Sequence, residues 1–333
     1  MNVILDIHHH DLFRSLNILF HKRMGCNIYL PYGQEWNTLF KYADYPNQSA
    51  IDQYLIHVKG WLNVGNDLGN VKFLTLDEYK DTQIDIHVAS LDKNIISFKN
   101  SAATYDKKTK HIIQVGNNFD PNILIGDNLL CSSNYVYEKS KIKNKIFYHQ
   151  EFDLSEFNYT KCQNIKSVYS FQHYFATGMP PYEKDYDRFI KLKSLLLDFD
   201  FGCYGNEGER GSIPNIPSEF SKSIKNSGFV FHVKPQGDGY GHIYHNAFAC
   251  GRPVIYKSEY LISDKIPMTP MFLFDEHNSV DLSKYSDIEV VDKIKKISED
   301  YDNVSRKVYS KFKTIVDFDE EFFKISKFIE NLI

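Results

Sequence analysis

Apolar positions at the start of the chain come first as a run and then as a stripe. Residues 3–7 form a short apolar run that predicts a strand. His8, His9 and His10 follow it as a loop. Asp11 is placed to cap a helix, since its carboxylate can accept from the open backbone N–H groups of a first turn. Leu12, Leu16, Leu19 and Phe20 then recur on one helical face. Further apolar, partly β-branched stretches occupy residues 27–30, 71–74, 84–89, 111–115, 128–130 and 145–148, and the stretch at 111–115 runs into Gly116-Asn117-Asn118. Strands alternating with helices in this way predict an open α/β sheet with parallel strands and covered faces.

The pattern restarts after a break near residues 155–163. Residues 165–171 predict a strand, and 173–183, with Gly178, Pro180 and Pro181, a loop. Residues 187–197 predict a helix, 199–204 a strand ending in Gly205-Asn206, 218–226 a short helix, and 228–233 a buried strand. The charged stretch at 292–313 is expected to be a solvated helix face. A last helix over 317–333 places Phe322, Ile325, Phe328 and Ile329 at helical spacing.

Composition narrows the function classes. A chain of 333 residues, 42% hydrophobic and 25% charged, has the make-up of a globular protein long enough for more than one core. A net charge of -4 provides no footprint for wrapping nucleic acid, so nucleic acid is not expected as a partner. Cys26, Cys131, Cys162, Cys203 and Cys250 are odd in number and contain no CxxC pair, which suits a reducing, cytoplasmic setting rather than a disulfide framework or a zinc knuckle. The start MNVILDIHHHDLF is not expected to be a signal peptide, because its apolar run is short and three histidines follow at once, and no uncharged run reaches the roughly 18 residues of a transmembrane span.

The densest chemistry lies in SGFVFHVKPQGDGYGHIYHNAFACGRPVIY, residues 227–256. An apolar strand enters a loop carrying Gly237, Gly239 and Gly241. A helix then starts near residues 240–242 and ends at Gly251, and Arg252-Pro253 turns the chain into another strand at 254–256. A glycine-rich turn at a helix start lets an anion approach unpaired backbone N–H groups at the positive end of the helix dipole. A phosphate or diphosphate is the natural occupant. The same turn also occurs as a purely structural device, and a GxGxxG dinucleotide fingerprint is missing from the first strand-turn-helix.

This segment resembles the donor motif of GT-B glycosyltransferases, in particular the large retaining family whose pattern is acidic-Gly-aromatic-Gly, a second acidic residue, then Ala-x-Ala-x-Gly-x-Pro-Val. Asp238-Gly239-Tyr240-Gly241 matches the first part, and Ala247, Ala249, Gly251, Pro253 and Val254 the last. Asp238 is one methylene shorter than the usual Glu, and Asn246 replaces the second acid. The resemblance implies that Asp238 touches the donor sugar and Asn246 the nucleotide ribose. The family's Arg and Lys for the diphosphate have no clean match, but Lys234, just before the glycine loop, is placed for it, with Gly239, Tyr240 and Gly241 beside it and His242 toward the phosphate or sugar. Lys184 and Arg188 are weaker candidates for that anion than Lys234. The resemblance further implies two Rossmann-like domains facing a cleft, with the C-terminal helix crossing back to the first. The expected division is an acceptor domain over 1–157, a donor domain over 158–316 and the returning helix over 317–333.

Other residues carry two readings each. His8, His9 and His10 can contact an acceptor or serve as a general base, since imidazole titrates near neutrality, or simply fix a turn. His242 and His245 lie three apart with His232 on the preceding strand. No cysteine or second histidine pair completes a metal set, so no metal is expected. Gln114, Asn117 and Asn118 can bind sugar hydroxyls or shape a turn. His149 and Glu151 can close over a ligand or tether a hinge, and Trp36 and Trp61 can stack on a sugar or be buried. The expected activity is transfer of a hexose from a nucleotide-sugar to an unknown acceptor, with retention and without metal or cofactor. Its rivals are a non-catalytic nucleotide- or glycan-binding protein, an epimerase or phosphorylase of the same fold, and a transferase acting on modified DNA bases.

Overall fold

The computed structural model describes residues 1–6, 9–33, 35–36, 49, 52, 71–90, 92–117, 119–214 and 216–333. Trp61 lies outside them. The chain divides into two compact units, Met1–Phe152 with Phe318–Ile333, and Asp153–Asp317.

The first unit is built on β1 (Asn2–Leu5), β2 (Asn27–Pro31), β3 (Val71–Leu74), β4 (Ile86–Ala89), β5 (Lys110–Val115), β6 (Asn128–Cys131) and β7 (Asn144–Phe147). They form one sheet in the order β3-β2-β1-β4-β5-β6-β7. Every pairing is parallel, with Val3 opposite both Ile28 and Ile86. Parallel strands must be covered on both faces. One face carries Val3, Leu5, Ile28, Ile86, Val88, Ile112 and Leu130 against Leu12, Leu16, Leu19 and Phe20. Those last four residues belong to α1 (His10–Asn17) and the π-helical turn Ile18–Arg23 that continues it. The other face buries Ile4, Ala89, Ile113 and Leu129 against Tyr79 of α2 (Leu76–Asp81), Ile95 and Phe98 of α3 (Asp92–Thr104), and Val136 of α4 (Asn134–Lys139). The C-terminal helix (Phe318–Glu330) seals the first face with Ile325 and Ile329.

The cap of α1 differs from the expectation. His9, not Asp11, is the N-cap: its backbone is extended and its Nδ1 accepts the Asp11 N–H at 3.3 Å. The helix therefore begins at His10, and Asp11 sits in the first turn, where its carboxylate faces the positive end of the dipole and meets Arg14 at 3.3 Å.

The second unit contains β8 (Ser167–Ser170), α5 (Glu183–Leu195), β9 (Asp200–Cys203), α6 (Pro217–Lys225), β10 (Phe229–Phe231), α7 (His242–Ala249) and β11 (Val254–Tyr256). A two-residue hairpin, β12 (Ile262–Ser263) and β13 (Ile266–Pro267), precedes β14 (Ser279–Asp281), α8 (Asp287–Glu299) and α9 (Tyr301–Ile315). The sheet order is β14-β11-β10-β8-β9, again all parallel. Helix α5 starts four residues before the expected 187, because Glu183 and Asp185 supply an acidic first turn behind the two prolines. The charged stretch at 292–313 spans α8 and α9, which bury Ile294 and Ile297, and Val304, Val308 and Phe312. No helix among the described residues is long and apolar enough to cross a membrane.

Candidate functional site

In a parallel sheet, ligands sit beyond the carboxyl ends of the strands where the strand order reverses. In the second unit that point lies between β8 and β10, since successive connections leave the pair in opposite directions. Gln172, just past β8, bridges it. Its Nε2 donates to the Val233 carbonyl, and its Oε1 accepts the Val233 N–H at 3.0 Å. Beyond β10 come His232, Val233 and Lys234, then the glycine loop.

Asp238 is the centre of this loop. One carboxylate oxygen, Oδ2, is 3.1 Å from His232 Nε2, and the other, Oδ1, is 3.2 Å from Lys234 Nζ. Burial alone would push the Asp238 carboxyl up, but the Lys234 charge and the His232 hydrogen bond outweigh it and hold the group far below the usual carboxylate range. Lys234 is raised by the same Asp238 charge, against its own burial. Asp238 is thus an ionised, nearly enclosed carboxylate with one fixed and one flexible partner. Lys234 is 37% exposed, so its ammonium can reach solvent or a ligand. Burial raises the Tyr182 hydroxyl, whose polar neighbours are Lys234, Gln172 and Asp238.

Helix α7 opens directly behind. Its N-cap is Gly241 with φ 71, and no side chain caps it, in contrast to Thr75 and Ser286, which close α2 and α8 with capping boxes. The Tyr244 N–H of this first turn returns to the Gly241 carbonyl at 3.1 Å, and a helix start without a side-chain cap is where an anion can meet the positive end of the dipole. Glycine is required at 241, because a Cβ there would stand 2.6 Å from Tyr244 and 2.7 Å from Pro270. Gly239 is tied through its carbonyl to the Thr269 N–H at 3.2 Å. Tyr240 stacks on His245 at 4.1 Å and meets His242 edge-on at 4.9 Å. His245 is fully buried with Nδ1 3.0 Å from the Gly241 carbonyl, so it shapes the turn. Asn246 is 4% exposed and its Oδ1 has no hydrogen-bond partner, leaving a buried acceptor on the helix that begins at the anion position.

Arg188 is excluded from the anion role. Its guanidinium is spent on Asp287 at 2.8 Å and on the Leu282 and Tyr285 carbonyls at 2.6 Å each. Lys184 is exposed on the first turn of α5. A second network that the pattern did not suggest lies past β11. Lys257 Nζ is 2.9 Å from Asp185 and 2.8 Å from Glu259, and the Tyr260 hydroxyl donates to Asp185 at 2.9 Å.

In the first unit the order reverses between β1 and β4. Asp6, past β1, bridges that point by accepting the Ser90 N–H at 2.8 Å and the Asn94 amide at 2.7 Å. His9 and His10 stack at 4.4 Å, and His10 Nε2 is 3.3 Å from Asp11. His9, His10 and Asp11 are the one group of potential metal ligands among the described residues. Asp11 already holds Arg14, whose positive charge opposes a cation there. His8 and Asn118 lie outside the described residues, and Asn117 is exposed after β5.

Four first-unit candidates turn out to be engaged in holding the fold. Gln114 is fully buried and donates its amide to the Tyr148 hydroxyl at 3.0 Å, because its position in β5 points it at the core face. His149 is bound twice by Glu321 of the C-terminal helix, and Glu151 takes Arg23 in a two-bond pair at 2.7 Å. Trp36 is buried, with Nε1 donating to the Leu74 carbonyl at 2.9 Å.

No family model and no curated protein sequence matches the chain. Solved structures do. HepE from Anabaena, in complex with UDP and glucose, is 12% identical with a TM-score of 0.62 over 100% of both chains. A glycosyltransferase from Rickettsia africae is 11% identical with a TM-score of 0.64, covering 99% of this chain and 98% of its own. The lipopolysaccharide outer core galactosyltransferase WaaB is 10% identical with a TM-score of 0.58 over 100% of both. Likeness of this extent at such low identity establishes architecture, and the chain has the GT-B fold of two Rossmann-like units.

Proposed function

We propose that the chain is a glycosyltransferase that takes a hexose from a nucleotide-sugar bound on its second unit. The observation that carries this reading is the convergence of Lys234, Asp238 and the uncapped start of α7 at the β8–β10 reversal. A nucleotide diphosphate needs cationic and N–H donors, and this position offers both. In glycosyl transfer the bond between the anomeric carbon and the diphosphate oxygen breaks, and negative charge gathers on the departing diphosphate. Lys234 and the positive end of the α7 dipole would stabilise that charge. Asp238 would accept from a sugar hydroxyl and Asn246 would meet the ribose, its buried Oδ1 being open to a hydroxyl donor. Gly239, Tyr240 and His242 complete the wall.

The acceptor is assigned to the first unit, near His9, His10 and Asn117. The remaining features of the proposal are a reaction with retention, independent of metal or cofactor, and a cytoplasmic location; retention comes from the resemblance of residues 238–254 to the retaining family. HepE was solved with UDP-glucose, which makes uracil the first base to test. A second reading, a nucleotide- or glycan-binding protein without turnover, is favoured by Asn246 in place of an acid.

A thermal-shift screen against UDP-, GDP-, ADP- and CMP-sugars tests the proposal. Ligand at a hundredfold excess over its dissociation constant stabilises the fold by about 2.7 kcal/mol. One nucleotide class should raise the midpoint, and Lys234→Ala and Asp238→Ala should each reduce the shift. No response to any donor, or both variants responding like wild type, overturns the assignment. Donor consumption with acceptor extracts separates turnover from binding.

A further inference from the structure

The two oxygens of Asp238 are held by partners of opposite character. Lys234 is a partly exposed ammonium on a flexible stem. His232 is 3% exposed and fixed from several sides. Its backbone N–H donates to the Ile255 carbonyl at 2.9 Å, its own carbonyl takes the Tyr244 hydroxyl at 3.0 Å, and the Tyr244 ring meets the imidazole edge-on at 4.6 Å. Asp238 is ionised and can only accept, so the proton shared with it belongs to His232 Nε2. The opposite nitrogen, Nδ1, is buried with no hydrogen-bond partner. Leaving a buried ring nitrogen unpartnered is costly, and here it accompanies a ring locked so that Nε2 meets Asp238.

We infer that His232 is a positioning residue for sugar recognition: it keeps Asp238 in place while Lys234 transfers from Asp238 Oδ1 to the incoming diphosphate. Departure of Lys234 opens Oδ1 to a sugar hydroxyl. Without His232 the carboxylate would lose both partners at once and turn away from the sugar. With His232 present, Oδ2 stays anchored and Oδ1 keeps its direction. The inference rests on the donor-site reading above and extends it to the division of labour between the two partners. It predicts that His232 serves the sugar and not the nucleotide.

The test compares UDP with UDP-glucose by isothermal titration on the full chain, with wild type and the variants His232→Phe and His232→Gln. Phenylalanine fills the site without a donor, whereas the glutamine amide can replace the Nε2 proton. His232→Phe should hold UDP within about twofold of wild type and weaken UDP-glucose about tenfold, the scale of one hydrogen bond to a charged group. His232→Gln should recover most of the loss. Equal weakening of both ligands in His232→Phe, or none, overturns the positioning role, as does a loss in His232→Gln as large as in His232→Phe. If His232→Phe does not fold, His232→Gln against His232→Leu decides on the same ratio. Wild type binding neither ligand, nor any other nucleotide-sugar and its diphosphate, removes the donor-site reading itself and the inference with it.

Discussion

His149 and Glu321, separated by 172 residues, meet through two hydrogen bonds: Glu321 Oε1 lies 2.6 Å from His149 Nδ1, and Oε2 accepts the His149 backbone N–H at 2.6 Å. One carboxylate thus fastens the C-terminal helix to the segment that follows β7. Arg23 adds a second fastening, reaching Glu151 and, at 2.8 Å, Asp319. Both contacts lie within the first unit.

Glu321→Ala should therefore cost more than a surface change. It removes the acceptor of a part-buried backbone N–H and the partner of the His149 ring, whose side chain is 7% exposed. The expected loss is about 1–3 kcal/mol in urea unfolding, with earlier proteolytic release of residues 318–333. Glu320→Ala, which breaks an exposed pair with Lys324 on the same helix, should cost less. Equal effects of the two changes would show that the His149 clamp contributes nothing.

A second prediction concerns acid. His87 in β4 is fully buried, its ring nitrogen Nε2 is 3.3 Å from the Tyr79 hydroxyl, and the His111 ring lies 4.9 Å away. Burial, then the charges of His111 and Lys107, push His87 well below the ordinary imidazole range, and burial lowers His111 to about 4. Both are neutral at pH 7 in the folded and unfolded chain. Below about 6.5 the unfolded chain takes up protons that the folded chain refuses. Stability is therefore complete above that pH and falls as pH drops toward 4, by up to about 1.4 kcal/mol per pH unit for each refused proton. Urea unfolding at pH 7 and pH 5 should show the loss, and His87→Leu should reduce it. An unchanged difference in the variant would assign the acid sensitivity to other groups.

These examples mark what the sequence discloses. Strands at 71–74 and 254–256 and the helix behind Gly241 were legible because apolar runs and glycine encode local geometry. The cap of α1 is ambiguous in the sequence because His9 and Asp11 both carry an acceptor of suitable reach, and only the backbone at His9 decides between them. Helix α3 is not legible in the sequence because its apolar residues do not form one clean stripe, although Ile95 and Phe98 anchor it. Gln172 and Tyr182 join Lys234 and Asp238 only through the strand order β10-β8, which no local pattern specifies. Gln114 resembled a sugar ligand by type, yet β-strand alternation turns it into the core beside Tyr148.

Gly241→Ala tests the geometry of the loop. The residue has φ 71, where a side chain is strained, and a Cβ would enter the space of Tyr244 and Pro270. The variant should lose about 1–3 kcal/mol of stability through strain and displacement of these neighbours. It should also lose nucleotide affinity, because the first-turn N–H groups of α7 would shift. Gly211→Ala also occupies a positive φ, 80, but has open space around its Cβ position. It should cost less stability and leave ligand affinity unchanged. Comparable loss of affinity in both variants would indicate a general effect of backbone strain.

Asp238→Asn separates the roles of charge and shape. The amide carbonyl can still accept from His232 Nε2, so the loop should keep its fold. The negative charge that raises and holds Lys234 is gone, and the amide nitrogen cannot accept from the ammonium. Lys234 is then available for a diphosphate without first leaving a partner. UDP should bind as well as to wild type or several-fold tighter, most clearly at low ionic strength, where the ammonium–phosphate attraction is least screened. UDP-glucose should lose whatever advantage it holds over UDP in wild type, because the amide nitrogen that takes the place of Oδ1 cannot accept from a sugar hydroxyl as the carboxylate oxygen can. Titrations with both ligands at two salt concentrations measure each effect. A tenfold fall in UDP affinity would mean that Asp238 supports the diphosphate itself, and the assignment of Lys234 as the exchanging cation would have to be abandoned.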